Sequence, residues 1–181
     1  LKYVGGLSND DMAEVYHVWN QGELKSFLIG ITADIFKESD EGSGQIIDKI
    51  LDSAGQKGTG RWTSIAALEL GVNVSMITAA CNARVMSNLQ ASRAEASKKF
   101  SAPNGTSKVP ADLVEMVRQS LYTAKIIAYA QGFALYRSAR EIYHWTLDYG
   151  RIASIFRAGC IIQAAFLTKI AEAYRRNPQL E

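Results

Sequence analysis

Apolar residues recur along most of this chain at intervals of three and four, the spacing of one helical face. In "LSNDDMAEVYHVWNQG", Ser8 and Asp11 form a capping-box-like start. Met12, Val15, Tyr16 and Trp19 follow with helical period, and Gly22 ends the run. "ELKSFLIGITADIFK" resumes that period through Leu24, Phe27, Leu28, Ile31 and Ile35. "QIIDKILDSAG" sets Ile46, Ile47, Ile50, Leu51 and Ala54 on one face, which predicts a short helix closed by Gly55. "WTSIAALELG" predicts a brief helix capped by Thr63, and a single long helix is expected from Ser75 to about Phe100. The longest candidate runs from Ala111 to about Trp145, roughly 50 Å at 1.5 Å per residue. Its middle, Ile126 to Tyr136, is apolar on nearly all sides, as in a helix surrounded by other helices. "LDYGRIASIFRAGC" and "IIQAAFLTKIAEAYRRN" supply two more helices before Pro178.

"ESDEGSG" reads as a loop, and "SAPNGTSKVP", punctuated by Pro103, Gly105 and Pro110, is the clearest linker. No segment sustains period-two alternation between turn signals, and there is no internal repeat or low-complexity tract. The pattern predicts an all-α, multi-helix domain built around a long central helix, with residues 1–181 forming a single unit.

Composition narrows the classes. At 181 residues, 48% apolar and 21% charged, the chain is long enough and apolar enough to bury a core. A formal charge of +2 without a Lys/Arg stripe and interleaved aromatics gives no case for nucleic acid. Lys98, Lys99, Arg175 and Arg176 fall at expected helix C-termini, where cations suit the helix dipole. Cys81 and Cys160 are expected as free, buried thiols in a reducing compartment. His17 and His144 lie far apart without partners at ligand spacing, so no metal site is expected. The longest apolar run, Ile126 to Tyr136, is too short for a membrane span and contains Gln131. The chain starts at Leu1 with no signal-peptide layout, which reads as a piece of a longer polypeptide.

The most pointed chemistry is "DSAGQKGTGRWTS", Asp52 to Ser64. Gly55 and Gly60 have the spacing of a P-loop, but Arg61 and Trp62 follow where that motif needs Lys and Ser/Thr. The preceding element also reads as helix rather than strand. The dinucleotide pattern fails too, because Thr63 stands where its third glycine belongs. Generic anion chemistry remains. Gly58 and Gly60 free the backbone to turn its N–H groups toward one point, Thr59 adds a hydroxyl, Lys57 a charge, and a helix start follows. A flexible loop with glycine used for turning fits the spacing equally well. Arg84, among Ala79, Ala80, Ala83, Val85 and Met86, either meets an anionic partner or snorkels to the surface, the commoner arrangement. Glu23, Asp34 and Glu38 fit a solvated face, Asp148 a helix cap, and Arg157 a structural ion pair. No acid, base or nucleophile constellation can be assembled.

Together, "DSAGQKGTGRWTSIAALELGV", "ARVMS", "AKIIAYAQGFAL", "YGRIASIFRAGCIIQAAFLTKIAEAY" and "WNQGELKSFLIGITADI" closely resemble the 6-phosphogluconate dehydrogenase family. The similarity covers nearly the whole chain and corresponds to that family's large helical domain, which follows a Rossmann domain. It implies NADP-dependent oxidation of 6-phosphogluconate at its third carbon, loss of carbon dioxide, and protonation of an enediol to ribulose 5-phosphate. A cytoplasmic homodimer of the pentose phosphate pathway and gluconate utilization, binding neither nucleic acid nor membrane, goes with it. Lys57 and Thr59 match the family's substrate-phosphate contacts, and Arg84 its substrate-binding arginine. The family's lysine base and glutamate acid would lie before Leu1, so no catalytic residue falls in this chain. NADP would be held mainly by the Rossmann domain. The tail through which a partner subunit reaches the site would lie beyond Glu181. Arg61, Asn73 and Cys81–Asn82 depart from the commoner lysine, proline and Val-Phe. Two alternatives stand beside this reading: a noncatalytic helical dimerisation module, and a β-hydroxyacid dehydrogenase relative acting on another phosphorylated sugar acid.

Overall fold

The computed structural model describes residues 1–100 and 109–180. Most of the linker expected over 101–110 falls on residues 101–108, outside that range. The described residues form nine α-helices and one 3-10 turn and contain no strand, as the helical periodicity predicts. They divide into two compact units, one of Leu1–Ile50, Val109–Thr123 and Trp145–Glu181, the other of Leu51–Lys108 and Ala124–His144.

The first unit holds α1 (Lys2–Gly5), α2 (Asn9–Trp19), α3 (Phe27–Lys37) and a 3-10 turn (Ile46–Lys49). It also holds α8 (Tyr149–Ile155), α9 (Phe166–Arg176) and the start of α7 (Leu113–Tyr143). Helix α2 begins with the expected reciprocal cap: Asp11 N–H donates to Ser8 Oγ at 3.1 Å, and Ser8 N–H to Asp11 Oδ2 at 2.9 Å. Trp19, Leu24 and Ile29 form a buried cluster with Val15, Tyr16, Val117 and Leu121 packed around it. Buried Asn9 is satisfied on both sides, accepting from Lys2 Nζ at 3.0 Å and donating to Asp48 Oδ2 at 2.7 Å. That links α1, the start of α2 and the 3-10 turn. Helices α8 and α9 close tightly, since a β-carbon on Gly150 would sit 3.3 Å from the Ala171 carbonyl oxygen. Asp148 caps α8 as expected, accepting from Arg151 N–H at 2.9 Å.

Two expectations in this unit are corrected. Helix α3 starts at Phe27 behind the Ser26 cap, and it buries Ile29 and Ala33. Phe27, Leu28, Ile31 and Ile35, which carried the period, are 39–49% exposed. Nearly every side of α3 is apolar, so periodicity could not choose its packed face. Asn20 chooses it by lying against Gly30, where a β-carbon would stand 2.9 Å from Asn20 Nδ2. The helix expected over "QIIDKILDSAG" is only the 3-10 turn, with Ile50 and Leu51 exposed. Its backbone bonds go elsewhere: Ile46 N–H donates to the Glu38 carbonyl at 3.0 Å, beside a Ser39–Gln45 bridge.

The second unit holds α4 (Thr59–Glu69), α5 (Ser75–Asn88), α6 (Gln90–Lys99) and α7 from Ala124 onward. Ala67, Val74, Phe133 and Ala139 are buried there. The single helix expected from Ser75 to Phe100 is broken at Leu89, whose ψ of 39° leaves the helical region. Neither Gly nor Pro marks the break. The Ser87 carbonyl instead accepts from Arg93 Nη2 at 3.0 Å. Helix α4 begins at Thr59 rather than behind a Thr63 cap, and Thr63 Oγ1 bonds back to the Thr59 carbonyl at 2.9 Å from inside the helix. The apolar middle of α7 is not enclosed by the described residues, for Ile126 and Ile127 are 44% and 42% exposed. Lys98, Lys99, Arg175 and Arg176 do lie in the last turns of α6 and α9.

Leu24 and Leu167 are the largest fully buried side chains. Truncating either to alanine is expected to lower the unfolding free energy by about 2–5 kcal/mol, against about 0.5 kcal/mol or less for exposed Leu68. Urea titration reads the difference, and equal losses at Leu167 and Leu68 would contradict the packing. A second expectation concerns acid. The Arg118 guanidinium, donating to both Glu115 oxygens at 2.7 and 2.6 Å, holds that carboxyl at about 2, below its ordinary 4.5. A carboxyl depressed on folding stabilises above its unfolded pKa, and that stability is lost as pH falls toward the folded value. Glu115→Gln is therefore expected to flatten the stability loss between pH 4.5 and 2, an effect shrinking with added salt because the pair is exposed.

Candidate functional site

The site lies within the second unit and is built on the segment 52–58, which reaches the start of α4 along α5 and α6. Each residue from Asp52 to Gln56 is tied to those helices. Asp52 accepts from Gln90 Nε2 at 3.2 Å and from Arg93 Nη1 at 2.9 Å, and its carbonyl accepts from Arg93 Nη2 at 3.2 Å. Ser53 Oγ donates to Asn88 Oδ1 at 2.8 Å, and Ala54 N–H to Ser87 Oγ at 3.0 Å. The Gly55 carbonyl accepts from Arg84 Nη1 at 2.9 Å, and Gln56 Nε2 donates to the Cys81 carbonyl at 2.8 Å.

Beyond this strap the chain turns into α4 through Gly58, whose φ of +111° and ψ of −29° suit a residue without a β-carbon. The first intrahelical bond runs from Trp62 N–H to the Gly58 carbonyl. The N–H groups of Thr59, Gly60 and Arg61 therefore lack acceptors within α4. Gly60 permits the approach of α4 to α5, because a β-carbon there would stand 2.6 Å from Cys81 Sγ. Helix α5 is fixed at its own start by side chains. Asn73 Oδ1 accepts from Ser75 N–H at 2.9 Å, and Gln131 of α7 accepts from Met76 N–H at 3.0 Å while donating to Ser75 Oγ at 3.0 Å. Asn73, one residue before the N-cap Val74, thus ties the first helical N–H with its side chain.

These elements enclose a cleft of about 460 Å³. Lys57, Thr59 and Arg84 all line it, together with Gln56, Gly58, Gly60, Met76, Ile77, Ala80, Cys81 and Ala128. All three residues expected from the sequence therefore meet in one place. The lining carries two cations and no carboxylate, and a helix N-terminus opens onto it. Such a wall suits a compact anion, held by main-chain N–H groups, a hydroxyl and two charged side chains. Arg84 is exposed, as the snorkelling alternative has it, yet its guanidinium lies on the Gly55 carbonyl at the cleft edge. Cys81 and Cys160 are free as expected but only half-buried.

Elsewhere the picture is plainer. No group of three potential metal ligands occurs among the described residues, and no described helix is long and apolar enough to cross a membrane. Glu23 pairs with Arg118, while Asp34 and Glu38 are exposed. Among the described residues Arg157 makes no ion pair, and it lines a separate cleft of the first unit with Lys25 and Asp34. Sequence reasoning missed Gln56, Arg93 and Gln131 as builders of the site. A lone amide within an apolar run did signal Gln131; nothing local to "QASRAEASKK" distinguishes Arg93.

Fold and cleft together define an all-helical module that offers a cationic, glycine-lined cleft at a helix start. Over residues 1–181 the chain matches the family model described as 6-phosphogluconate dehydrogenase, C-terminal domain, and it belongs to that family. It is 52% identical over 184 residues to the NADP(+)-dependent, decarboxylating 6-phosphogluconate dehydrogenase of Bacillus subtilis (strain 168), a match covering 100% of this chain and 39% of that protein. The decarboxylating enzyme of Escherichia coli (strain K12) is 50% identical over 175 residues, 96% of this chain and 37% of that one. Among solved structures, Plasmodium falciparum 6-phosphogluconate dehydrogenase, described in apo form, with its cofactor NADP+ and with its substrate 6-phosphogluconate, gives a TM-score of 0.93 at 39% identity. That likeness covers 99% of this chain and 39% of the other. The chain thus spans about two-fifths of the length of the relatives it matches.

The contact at Gly60 generates a test. Gly60→Ala is expected to lower the thermal midpoint, because the new methyl meets Cys81 Sγ, and Cys81→Ala in the same chain is expected to restore most of the loss. Additive losses in the double variant would show that this contact does not set the helix spacing.

Proposed function

We propose that this chain is the substrate-holding part of a decarboxylating 6-phosphogluconate dehydrogenase and that its cleft takes the substrate's phosphate. The observation that carries the reading is the convergence of Lys57, Thr59 and Arg84 on one carboxylate-free cleft beside the free N–H groups of α4. A phosphate dianion meets charge-assisted bonds there from two different elements, which fixes one end of the sugar acid. Lys57 contributes a mobile point charge, Arg84 a planar fork, and Thr59 a hydroxyl beside its own free N–H.

The overall reaction converts 6-phosphogluconate and NADP to ribulose 5-phosphate, carbon dioxide and NADPH. NADP, when bound, supplies the hydride acceptor. The residues of this chain do not fit it: the glycine loop lacks the dinucleotide spacing and follows an irregular strap rather than a strand. The cofactor and the proton-transferring groups accordingly belong to residues outside this chain. What this chain does in catalysis is bind and orient.

Pairing with a second subunit is the other role we assign to it, in a cytoplasmic homodimer that binds neither nucleic acid nor membrane. The part-exposed apolar residues Phe27, Leu28, Ile31 and Ile35 of one helix support association, since apolar surface grouped on an exposed face favours an interface. By itself that surface favours the second reading, a noncatalytic helical dimerisation module. The carboxylate-free cleft is what a pure dimerisation module would have no use for.

In the full-length enzyme, Lys57→Ala and Arg84→Ala are each expected to raise the KM for 6-phosphogluconate by about tenfold or more, with the KM for NADP nearly unchanged. Steady-state kinetics with each substrate varied in turn measures both. Unchanged affinity for 6-phosphogluconate in both variants would remove the phosphate assignment.

A further inference from the structure

We propose that Arg93 is a positioning residue for the phosphate cleft, acting through the strap 52–56 that it pins; the inference rests on the phosphate reading above. Arg93 does not line the cleft. Its guanidinium joins three things: the Asp52 carboxylate at 2.9 Å, the Asp52 carbonyl at 3.2 Å and the Ser87 carbonyl at 3.0 Å. The Ser87 carbonyl lies where α5 breaks, so Arg93 satisfies an acceptor that the interrupted helix leaves free. The Ser87 hydroxyl in turn receives the Ala54 N–H at 3.0 Å. One side chain therefore fixes both the start of the strap and the helix end on which the strap lies.

The geometry of the strap matches that of its support. An extended chain advances at most about 3.6 Å per residue and a helix 1.5 Å, so three strap steps have the reach to follow seven helical residues, about 10 Å. From Ser53 to Gln56 the partners run back from Asn88 to Cys81, seven residues along one face of α5. The strap is thus laid down in register, and its next residue is Lys57. Pinning the far end fixes where Lys57 and the Gly58 turn enter the cleft before any ligand arrives. A site ordered in advance loses less freedom on binding, so the pin is felt as affinity for the phosphate.

The ion pair alone does not account for this role. Its side chains are 36% and 65% exposed, and pairs that open to solvent contribute little. The fork matters more than the charge, because two guanidinium nitrogens divide the three acceptors between them, and a single ammonium nitrogen would have to meet all three from one point. Arg93→Lys keeps the charge and loses the fork.

The test uses the full-length enzyme, with 6-phosphogluconate and the unphosphorylated gluconate as probes. Arg93→Ala and Arg93→Lys are both expected to raise the KM for 6-phosphogluconate about tenfold, with kcat retained and the inhibition constant of gluconate, used as a competitor, unmoved. Wild-type kinetics in Arg93→Lys would overturn the fork argument. Equal weakening toward both probes, or a fall in kcat that tracks the rise in KM, would reduce Arg93 to a structural residue and overturn the proposal. Should Arg93→Ala not fold, Asn88→Ala, which removes the Ser53 tie, is expected to raise the same KM severalfold, and no change there counts against the strap. Lys57→Ala run in parallel separates the two readings. If it moves the phosphorylated probe alone while the Arg93 variants move nothing, only the positioning role falls. If it too leaves the preference for the phosphorylated probe intact, the phosphate reading falls first.

Discussion

Helix α4 lies against α5 because position 60 has no side chain, and the rest of the candidate site depends on that contact. The ideal β-carbon position at Gly60 is 2.6 Å from Cys81 Sγ, so any side chain there would displace the thiol or part the helices. With the two helices that close, the free N–H groups at the start of α4 face the same space as Arg84 on α5. Two residues earlier, Gly58 takes a backbone conformation suited to glycine and sets Lys57 in the cleft lining. The "KGTG" spacing therefore has a packing meaning as well as a chemical one: the first glycine turns the chain and the second admits the neighbouring helix.

The units differ in how they are held. The first is fastened by apolar burial, with Trp19, Leu24, Ile29 and Leu167 nearly or fully buried. The second has fewer buried residues among those described and relies on polar ties: the strap on α5 and α6, Gln131 at the head of α5, and Ser64 Oγ against Thr78 Oγ1 at 3.1 Å. Hydrogen bonds are directional where apolar contacts are not, so a part of the molecule that must hold a few atoms in place gains from being built this way.

Much of the fold was legible in the sequence because it is local. The Ser8–Asp11 cap, the Asp148 cap and the basic last turns of α6 and α9 follow from residues within one helical turn. The cleft residues were legible because glycine, lysine and threonine in that order have few ordinary uses. What failed was nonlocal. The break at Leu89 carries no Gly or Pro; it exists because Arg93, Ser87 and Asn88 spend their hydrogen bonds across the turn and on the strap. The packed face of α3 was hidden by apolar side chains all round the helix and was settled by Asn20 against Gly30. Cys81 is half-buried rather than buried because it borders the cleft itself.

The absence of carboxylates from the cleft lining has a consequence for selectivity. Two cations, a hydroxyl and main-chain N–H groups respond to the charge and size of a tetrahedral oxyanion and carry nothing that distinguishes one sugar from another. Free inorganic phosphate and sulfate present the same face to such a wall as a phosphate monoester does. Ionic conditions thus act on this cleft as competing ligands, and recognition of the carbon skeleton falls to groups other than those that grip the phosphate.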